Sequence, residues 1–329
     1  MSKGLLEVEG TLSAAQFWPN GTSDADTAHV VVSAFRFNGR VTHAFDDATV
    51  KRSATANGGK PVQNKKHEVT VRFQGIDAPE LHYRPIHQHL SPEQKAAVSA
   101  KNGNFRQHLG ESAAVALGKF VTALGPTPIA CVVRSQVTKP NDVFDMYGRL
   151  IGDVYVQVGH QEINLNHWLL QHGYAFPAFY DSLTKQEIDD IQTLVQQAQS
   201  SNAGVWSHYT AKANEFDARR LAPKAHAPYS AARDQAAVSF PKLFRRASAW
   251  AVLKAAGVQS TRYIEYLRAH PDGCFTTTNF LAAGKRATRR RLEEFVDGRE
   301  RFVVMPGGLV FSEGASFLVG GEGEGVEGW

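Results

Sequence analysis

The first third of the chain alternates apolar and polar residues with the period of two that is typical of β-strands. Residues 29–37 are rich in β-branched and aromatic side chains, which favour strands. In residues 67–73, Val69, Val71 and Phe73 fall on one face and polar residues fall on the other. Further strand patterns lie at residues 6–8, 129–133 and 150–158. The N-terminal region is therefore predicted to be rich in β-structure.

Helical spacing of apolar residues begins after residue 90 and recurs in several segments up to about residue 296. Ser91 followed by Pro92 is typical of a helix N-cap and first turn. Apolar residues in 184–198 recur at the spacing of an amphipathic helix. Further helices are predicted at about 105–124, 164–173, 242–256, 261–269 and 280–296. Gly284 could break the last helix, and residues 302–311 are typical of two short strands around a Pro-Gly-Gly turn.

The length of 329 residues suggests two domains at about 100–200 residues each. Residues 211–240 are rich in Ala and Pro and poor in large apolar side chains, which predicts a linker. We therefore predict an α+β domain at 1–210, a linker at 211–240 and a smaller, mostly helical domain with a β-hairpin at 241–312. Residues 313–329 are predicted to be an acidic, Gly-rich tail.

The net charge of +4 hides a strong asymmetry along the chain. Residues 219–311 contain 17 basic and 7 acidic residues, whereas the segment before them is nearly neutral. Such a basic module favours a polyanionic partner, most often nucleic acid. A solvated basic surface without a partner is the alternative.

The densest basic run of this module is expected to bind nucleic acid through phosphate contacts. Its members are Lys285, Arg286, Arg289, Arg290 and Arg291. Helices followed by a hairpin share the element order of a winged helix, although no motif supports that reading. A protein-binding module, or one that forms a homo-oligomer, is the alternative.

The location of the protein is predicted from what the sequence lacks. Cys131 and Cys274 are the only cysteines and are far apart, which excludes a disulfide framework and a Cys-rich zinc site. No apolar run approaches the roughly 18 residues that a membrane span needs, and residues 1–10 lack a continuous apolar signal region. We therefore expect a cytoplasmic protein with no membrane partner.

Two carboxylates follow the strand that ends near Arg72. Asp77 and Glu80 are three residues apart, and Pro79 between them stiffens the loop. Asp26, in a polar turn of its own, is a third carboxylate that could join them. Oxygen ligands of this kind suit a hard divalent cation such as Ca²⁺ and do not favour copper or structural zinc.

A second charged motif, residues 145–149, is predicted to form the tip of a β-hairpin. The turn would project Arg149 from the start of a strand. Two arginines and a metal ion can clamp one phosphate, because the planar guanidinium matches phosphate oxygens two at a time.

These motifs occur in the order found in a known family. The series comprises Asp24-Ala-Asp26-Thr27, Arg72 with Ile76-Asp77-Ala78-Pro79-Glu80, Asp145-Met-Tyr147-Gly148-Arg149 and Val205-Trp206-Ser207. It resembles the staphylococcal nuclease (thermonuclease) family over about residues 5–209. The resemblance implies a five-stranded OB-type β-barrel with three helices. It also implies Ca²⁺-dependent cleavage of DNA and RNA that leaves 3′-phosphates.

The resemblance assigns roles to the acidic residues. Asp26 and Asp77 would supply side-chain ligands to one Ca²⁺ ion, and Ala78 would supply its backbone carbonyl. Glu80 would orient or deprotonate the attacking water. These four assignments are carried over from the family's motifs.

The resemblance also assigns residues to the substrate. Arg72 and Arg149 would hold the phosphate and stabilise the charge of the transition state. Tyr147 and Tyr180 match positions that the family places near the nucleotide, Tyr180 only loosely.

The sequence departs from the family pattern around the expected site. The arm at 38–66 is longer than usual, residues 82–104 are an insertion, and Met146 stands where family members often carry Lys. These departures bear on substrate preference. The sequence therefore predicts a Ca²⁺-dependent nuclease whose basic C-terminal domain recruits substrate or a partner. The alternative is a catalytically inactive, nucleic-acid-binding protein built on the same barrel.

Overall fold

The computed structural model describes most of the chain, with gaps. The described ranges are residues 3–41, 67–85, 87, 90–145, 147–209, 222–223, 238–259, 262–298 and 301–312. The predicted arm at 38–66 (beyond residue 41 and before residue 67), most of the predicted linker at 211–240, Met146 and the predicted tail at 313–329 lie outside them.

Short strands and helices alternate along the described chain. The strands are β1 (Gly4–Leu12), β2 (Thr27–Phe37), β3 (Arg40–Val41), β4 (Glu68–Phe73), β5 (Ile76–Asp77), β6 (Phe105–Arg106), β7 (Ile129–Val137), β8 (Leu150–Val158), β9 (Gln161–Asn164), β10 (Phe176–Pro177), β11 (Phe179–Tyr180), β12 (Ala222–Pro223), β13 (Gly273–Thr276), β14 (Arg290–Arg291) and β15 (Leu309–Phe311). The α-helices are α1 (Pro92–Lys101), α2 (Gly110–Leu124), α3 (Leu165–Gln171), α4 (Lys185–Ser200), α5 (Val205–His208), α6 (Pro241–Ala255), α7 (Tyr263–Ala269) and α8 (Thr277–Ala283).

The described residues form two compact units that interleave along the chain. The first unit takes in residues up to 76 together with 114–169, and the second takes in 77–113 together with 170–312. The contiguous domains that the sequence predicts stay a prediction.

The first unit is a closed five-stranded β-barrel. Its sheet has the strand order β1-β7-β8-β4-β2, and β2 pairs back with β1 to close the barrel. All of these pairings are antiparallel except the parallel pair of β4 with β8. The predicted α+β class with an OB-type barrel is therefore confirmed.

The alternating pattern of the sequence fills the interior of this barrel. Val69, Val71 and Phe73 on β4 are each at most 1% exposed, and the residues between them are more exposed. Asn166 on α3 is also buried and ties this helix to the barrel. Its side chain accepts a hydrogen bond from the Val154 amide at 3.1 Å and donates one to the Gln74 carbonyl at 2.9 Å.

The second unit contains a four-stranded sheet built from distant parts of the chain. Its strand order is β11-β15-β13-β14. β11 comes from the predicted 1–210 domain and pairs in parallel with β15 from the C-terminal region. Residues on either side of the predicted linker therefore fold together in this unit.

Three predicted elements differ from the structure. The helix predicted from residue 105 begins at Gly110, because residues 105–106 form β6 and pair with β12. The helix predicted at 280–296 ends at Ala283, where Gly284 has a φ of 60°; two 3₁₀ turns and β14 follow. The strand at the end of 302–311 pairs with β13 instead of forming a hairpin within that segment.

Within the residues that the structure describes, no helix is both long enough and apolar enough to cross a membrane.

Candidate active site

The barrel unit holds Asp26 and Arg72 against each other. Asp26 immediately precedes β2, and the antiparallel register places Thr27 opposite Arg72 on β4. Nη1 of Arg72 lies 2.8 Å from Oδ2 of Asp26, and the Phe73 amide donates to the Asp26 carbonyl at 2.9 Å. Asp26 is only 6% exposed. Strand register therefore brings together two residues that are 46 positions apart.

The described residues of the predicted 145–149 turn, Asp145 and residues 147–149, lie between β7 and β8, where the Gly148 amide donates to the Asp145 carbonyl at 2.9 Å. Oδ1 of Asp145 accepts hydrogen bonds from the amides of Tyr147 and Arg149, both at 2.9 Å. Oδ2 of Asp145 accepts from Nε of Arg149 at 2.7 Å, and Nη2 of Arg149 lies 2.7 Å from the same oxygen. One carboxylate therefore shapes the turn and orients the guanidinium.

Asp145 is a positioning residue that the sequence reasoning did not single out. The sequence does carry a signal for this role: an Asp at the first position of a turn commonly accepts a hydrogen bond from the backbone amide two residues further on. Tyr147 in the same turn is 51% exposed, and the Arg149 guanidinium lies 5.4 Å from the centre of its ring.

The second unit holds the other predicted acidic residues. Asp77 and Ala78 are each 2% exposed, and the Glu80 side chain is 12% exposed. Gln107 fixes the backbone of Glu80 from both sides: its amide donates to the Glu80 carbonyl at 2.7 Å, and its Oε1 accepts from the Glu80 amide at 3.0 Å. The loop that presents the two carboxylates is therefore held in one conformation.

Arg245 on α6 binds both of these carboxylates. Its Nη1 and Nη2 donate to Oδ1 and Oδ2 of Asp77 at 3.1 and 2.9 Å. Nη1 also donates to Oε1 of Glu80. The planar fork of the guanidinium matches a carboxylate in this two-point geometry. From its sequence, Arg245 was predicted only to lie on a helix of the basic C-terminal region, and its contact with these carboxylates was not predicted.

The electrostatics of this cluster favour charged groups. Burial opposes the charge on Arg245, but Asp77 and Glu80 outweigh burial and hold its pKa well above the usual value. By contrast, burial raises the pKa of the neighbouring Tyr83 and keeps its phenol neutral. Arg245 is therefore a permanent cation between two carboxylates.

A second ion cluster lies on the same helix. Arg246 donates to both oxygens of Asp272, at 2.7 and 2.8 Å, and Nζ of Lys242 lies 3.2 Å from Asp272. Burial favours the neutral acid, but Lys242 and Arg246 hold the pKa of Asp272 well below its usual range. Tyr180 is near this cluster, with its ring centre 6.0 Å from Nζ of Lys242.

The basic run of the C-terminal region is not on the predicted helix: Lys285 and Arg286 lie on a 3₁₀ turn, Arg290 and Arg291 form β14, and Arg289 lies between them. Lys285 pairs with Asp181 at 3.3 Å, and Arg290 and Arg291 pair with Glu294 and Glu293. The Lys285 and Arg291 side chains nevertheless remain 66% and 64% exposed. Their charge is therefore available at the surface and partly balanced by nearby acids.

The predicted site residues divide between the two units. Asp26, Arg72, Tyr147 and Arg149 belong to the barrel unit. Asp77, Ala78, Glu80, Tyr180 and the basic run belong to the second unit. Within their own units, the structure brings Asp26 to Arg72 and brings Asp77 and Glu80 to Arg245.

The predicted metal ligands suit Ca²⁺ in their chemistry. Buried carboxylates and a backbone carbonyl are the oxygen donors that this hard cation takes. In this structure the guanidinium of Arg245 already binds the Asp77 carboxylate. In the part of the chain that the structure describes, no group of three His, Cys, Asp or Glu side chains is arranged to hold a metal ion. The oxygen donors of Asp77 and Ala78 suit a divalent cation in kind, and binding at Asp77 would require Arg245 to withdraw.

Comparison with known proteins supports the resemblance. Residues 70–208 match the family model of staphylococcal nuclease homologues. This match confirms the resemblance over that segment, which includes Arg72, Asp77, Glu80 and Arg149; Asp26 precedes it. No curated protein matches the chain.

Proposed function

We propose that this chain is a Ca²⁺-dependent nuclease that hydrolyses phosphodiester bonds of DNA or RNA and leaves 3′-phosphates. The observation that carries the proposal is the nuclease-family match over residues 70–208. That segment retains two carboxylates and two arginines at the motif positions where the family resemblance assigns them roles. Fold alone does not imply function, so the proposal rests on these four groups and not on the barrel.

The acidic residues of the proposed site would hold the cation and the water. Asp26, Asp77 and the Ala78 carbonyl are the proposed ligands. A bound divalent cation supplies positive charge to the phosphate and lowers the pKa of water. Glu80 would then accept the proton of the attacking water, a task that suits a carboxylate whose backbone is held rigidly by Gln107.

The arginines would bind the phosphate and the charge that develops on it. Arg149 is suited to this task because Asp145 already orients its guanidinium, so little ordering remains to be done in the transition state. Arg72 pairs with Asp26 in this structure. Because Asp26 is also a proposed Ca²⁺ ligand, this pair would have to rearrange when the cation binds.

Cleavage of a labelled single-stranded DNA in Ca²⁺ and in EDTA tests this proposal. We expect cutting only in Ca²⁺, and a loss of about 10²–10³ in turnover for Arg72→Ala or Glu80→Ala. Arg134→Ala is the matched control, because Arg134 is a barrel arginine that also pairs with acids, Glu7 and Glu162. Equal loss in the control, or cutting in EDTA, would contradict the proposal.

The basic C-terminal region is proposed to recruit nucleic acid to the chain. The exposed Lys285 and Arg291 side chains carry this part of the proposal, since phosphate contacts of Lys and Arg dominate non-specific binding. A homo-oligomer formed through this region would instead show as a change in the mass of the particle in solution that does not depend on nucleic acid.

A second candidate function has one observation in its favour. This candidate is a protein that binds nucleic acid without cutting it. Such a protein does not need free carboxylates, so its Arg245 would stay bonded to Asp77 and Glu80 permanently. Binding of DNA with no cleavage in any divalent metal, by the chain and by variants of Arg245 alike, would favour this candidate.

A further inference from the structure

Helix α6 places the Arg245 guanidinium against the carboxylates of Asp77 and Glu80. Residues 77–80, which carry these carboxylates, form the proposed catalytic loop. Both oxygens of Asp77 accept from Arg245, at 3.1 and 2.9 Å, and Glu80 accepts from the same guanidinium. A carboxylate has about four lone-pair directions for acceptance, and a two-point arginine contact uses those that face the cation. A guanidinium and a metal ion therefore compete for the same face of Asp77.

The position of Arg245 is fixed by the packing of its helix. Leu243, Phe244 and Ala247 on either side of it in α6 are at most 7% exposed. The ring of Phe244 contacts the ring of Tyr83 edge-on, with 6.4 Å between centres. Arg245 therefore reaches the catalytic loop from a packed helix.

One side chain ties the catalytic loop to the approach to this helix. Gln107, 1% exposed, accepts from the Glu80 amide. Its Nε2 donates to the backbone carbonyl of Ser239 at 2.7 Å and to the Ser239 hydroxyl at 3.1 Å. Ser239 lies two residues before α6. The loop and the start of the helix are thus held in register with each other.

We propose that α6 is an autoinhibitory element whose Arg245 occupies the carboxylates that the proposed nuclease needs for its cation and its water. This inference rests on the proposed function. The Arg245 guanidinium on α6 is the counter-ion of both carboxylates. It must withdraw before Asp77 can bind Ca²⁺ and before Glu80 can accept a proton. Activity is then set by whatever shifts α6 away, and the C-terminal region controls the catalytic loop as well as recruiting substrate.

The competition has a measurable size. The apparent affinity of a ligand equals its intrinsic affinity multiplied by the fraction of molecules in the binding-competent state. If Arg245 occupies the carboxylates in about 90% of molecules, the competent fraction is about 0.1 and Ca²⁺ binding is about ten-fold weaker. Removing the guanidinium while keeping the rest of the chain reverses this loss. Without this guanidinium, the negative charges of Asp77 and Glu80 are no longer compensated, and a divalent cation can neutralise them.

Calorimetric titration of the full chain with Ca²⁺ tests the proposal without relying on activity. We expect Arg245→Gln to bind Ca²⁺ about ten-fold more tightly, or better, than the unaltered chain. Arg246→Gln is the matched control, because it removes the neighbouring guanidinium of α6, which bonds Asp272 and not the catalytic loop. Unaltered affinity in a folded Arg245→Gln chain would overturn the proposal, and so would an equal gain in Arg246→Gln.

Hydrogen exchange on the unaltered chain keeps the proposal testable if Arg245→Gln does not fold. Saturation with Ca²⁺ should speed exchange of the amides of α6, because Arg245 is released when Asp77 takes the cation. Unchanged exchange across α6 with Ca²⁺ bound would overturn the proposal.

DNA cleavage by the same proteins separates this inference from the proposed function. If the unaltered chain cuts DNA in Ca²⁺ and Arg245→Gln gains neither affinity nor rate, the inference fails and the proposed function stands. If Arg245→Gln binds Ca²⁺ more tightly but neither protein cuts, the proposed function fails and the counter-ion role of Arg245 stands.

Discussion

Replacing Gly110 with alanine should displace the catalytic loop. Gly110 is the first residue of α2, and a Cβ there would lie 2.8 Å from the Glu80 carbonyl oxygen and 2.9 Å from the Pro79 carbonyl oxygen. Both are backbone atoms, and Gln107 holds the Glu80 carbonyl at 2.7 Å. The clash therefore cannot be relieved by turning a flexible side chain.

The expected cost follows from this contact. Forcing an extra methyl group into a packed site typically costs about 1–3 kcal/mol. Alanine gains about 0.5–1 kcal/mol over glycine within a helix, but less is expected at the first helical residue. We therefore expect Gly110→Ala to lower the free energy of unfolding by about 1–3 kcal/mol.

Gly118→Ala in the same helix is the matched control. Its Cβ would meet no atom closer than Cβ of Phe17, at 3.3 Å. This contact is tight enough that Phe17 must shift by a few tenths of an ångström. The helical gain of about 0.5–1 kcal/mol opposes that cost, so the loss of stability should be smaller than for Gly110→Ala.

Urea unfolding followed by tryptophan fluorescence measures both variants. A Gly110→Ala chain that is at least as stable as Gly118→Ala would refute the reasoning from the close contact. If Glu80 acts as proposed, turnover in Ca²⁺ should also fall in Gly110→Ala and stay near the parent value in Gly118→Ala.

Further predictions concern pH, thiols and salt. Because the folded pKa of Asp272 is held below its usual value, its stabilising effect is present above about pH 4 and is lost as pH falls below that value; urea unfolding from pH 6 to 3 should show a smaller loss for Asp272→Asn than for the parent chain. Burial raises the pKa values of Cys131 and Cys274 to about 12, so a thiol reagent at pH 8 should label them slowly in the folded chain and fast in denaturant, and fast labelling without denaturant would contradict their burial. Lys285→Ala and Arg291→Ala should each reduce the salt slope of nucleic-acid binding by about 1, and an unchanged slope in a filter-binding titration would exclude them from the interface.

Local pattern was enough to predict the barrel strands. Val69, Val71 and Phe73 alternate with polar residues, and this alternation alone fixes which face of the strand is buried. Ser91 was predicted as an N-cap because Pro92 follows it directly, which is also a local signal. The structure shows a complete capping box there with Gln94. Features of this kind depend on residues that are close in sequence.

Features that depend on distant residues were not predicted. Phe105 and Arg106 were predicted to begin a helix, yet they are extended and pair with β12, more than 100 residues away. Arg245 contacts Asp77 across 168 residues, and no spacing in the sequence marks it among the arginines of its basic region. Asp77 and Glu80 were singled out by their motif and stay predicted site residues, whereas the group that binds them in this structure could not be predicted from the sequence.

Cleavage of a 5′-labelled single-stranded DNA by the full-length Arg245→Gln chain, with Ca²⁺ titrated from zero, is the decisive test of a Ca²⁺-dependent nuclease that Arg245 inhibits. We expect Ca²⁺-dependent cutting that is faster than that of the unaltered chain and leaves 3′-phosphates, and we expect that adding Glu80→Gln abolishes the cutting. No cutting by a folded chain that binds both Ca²⁺ and DNA, or cutting that survives Glu80→Gln, would contradict this expectation.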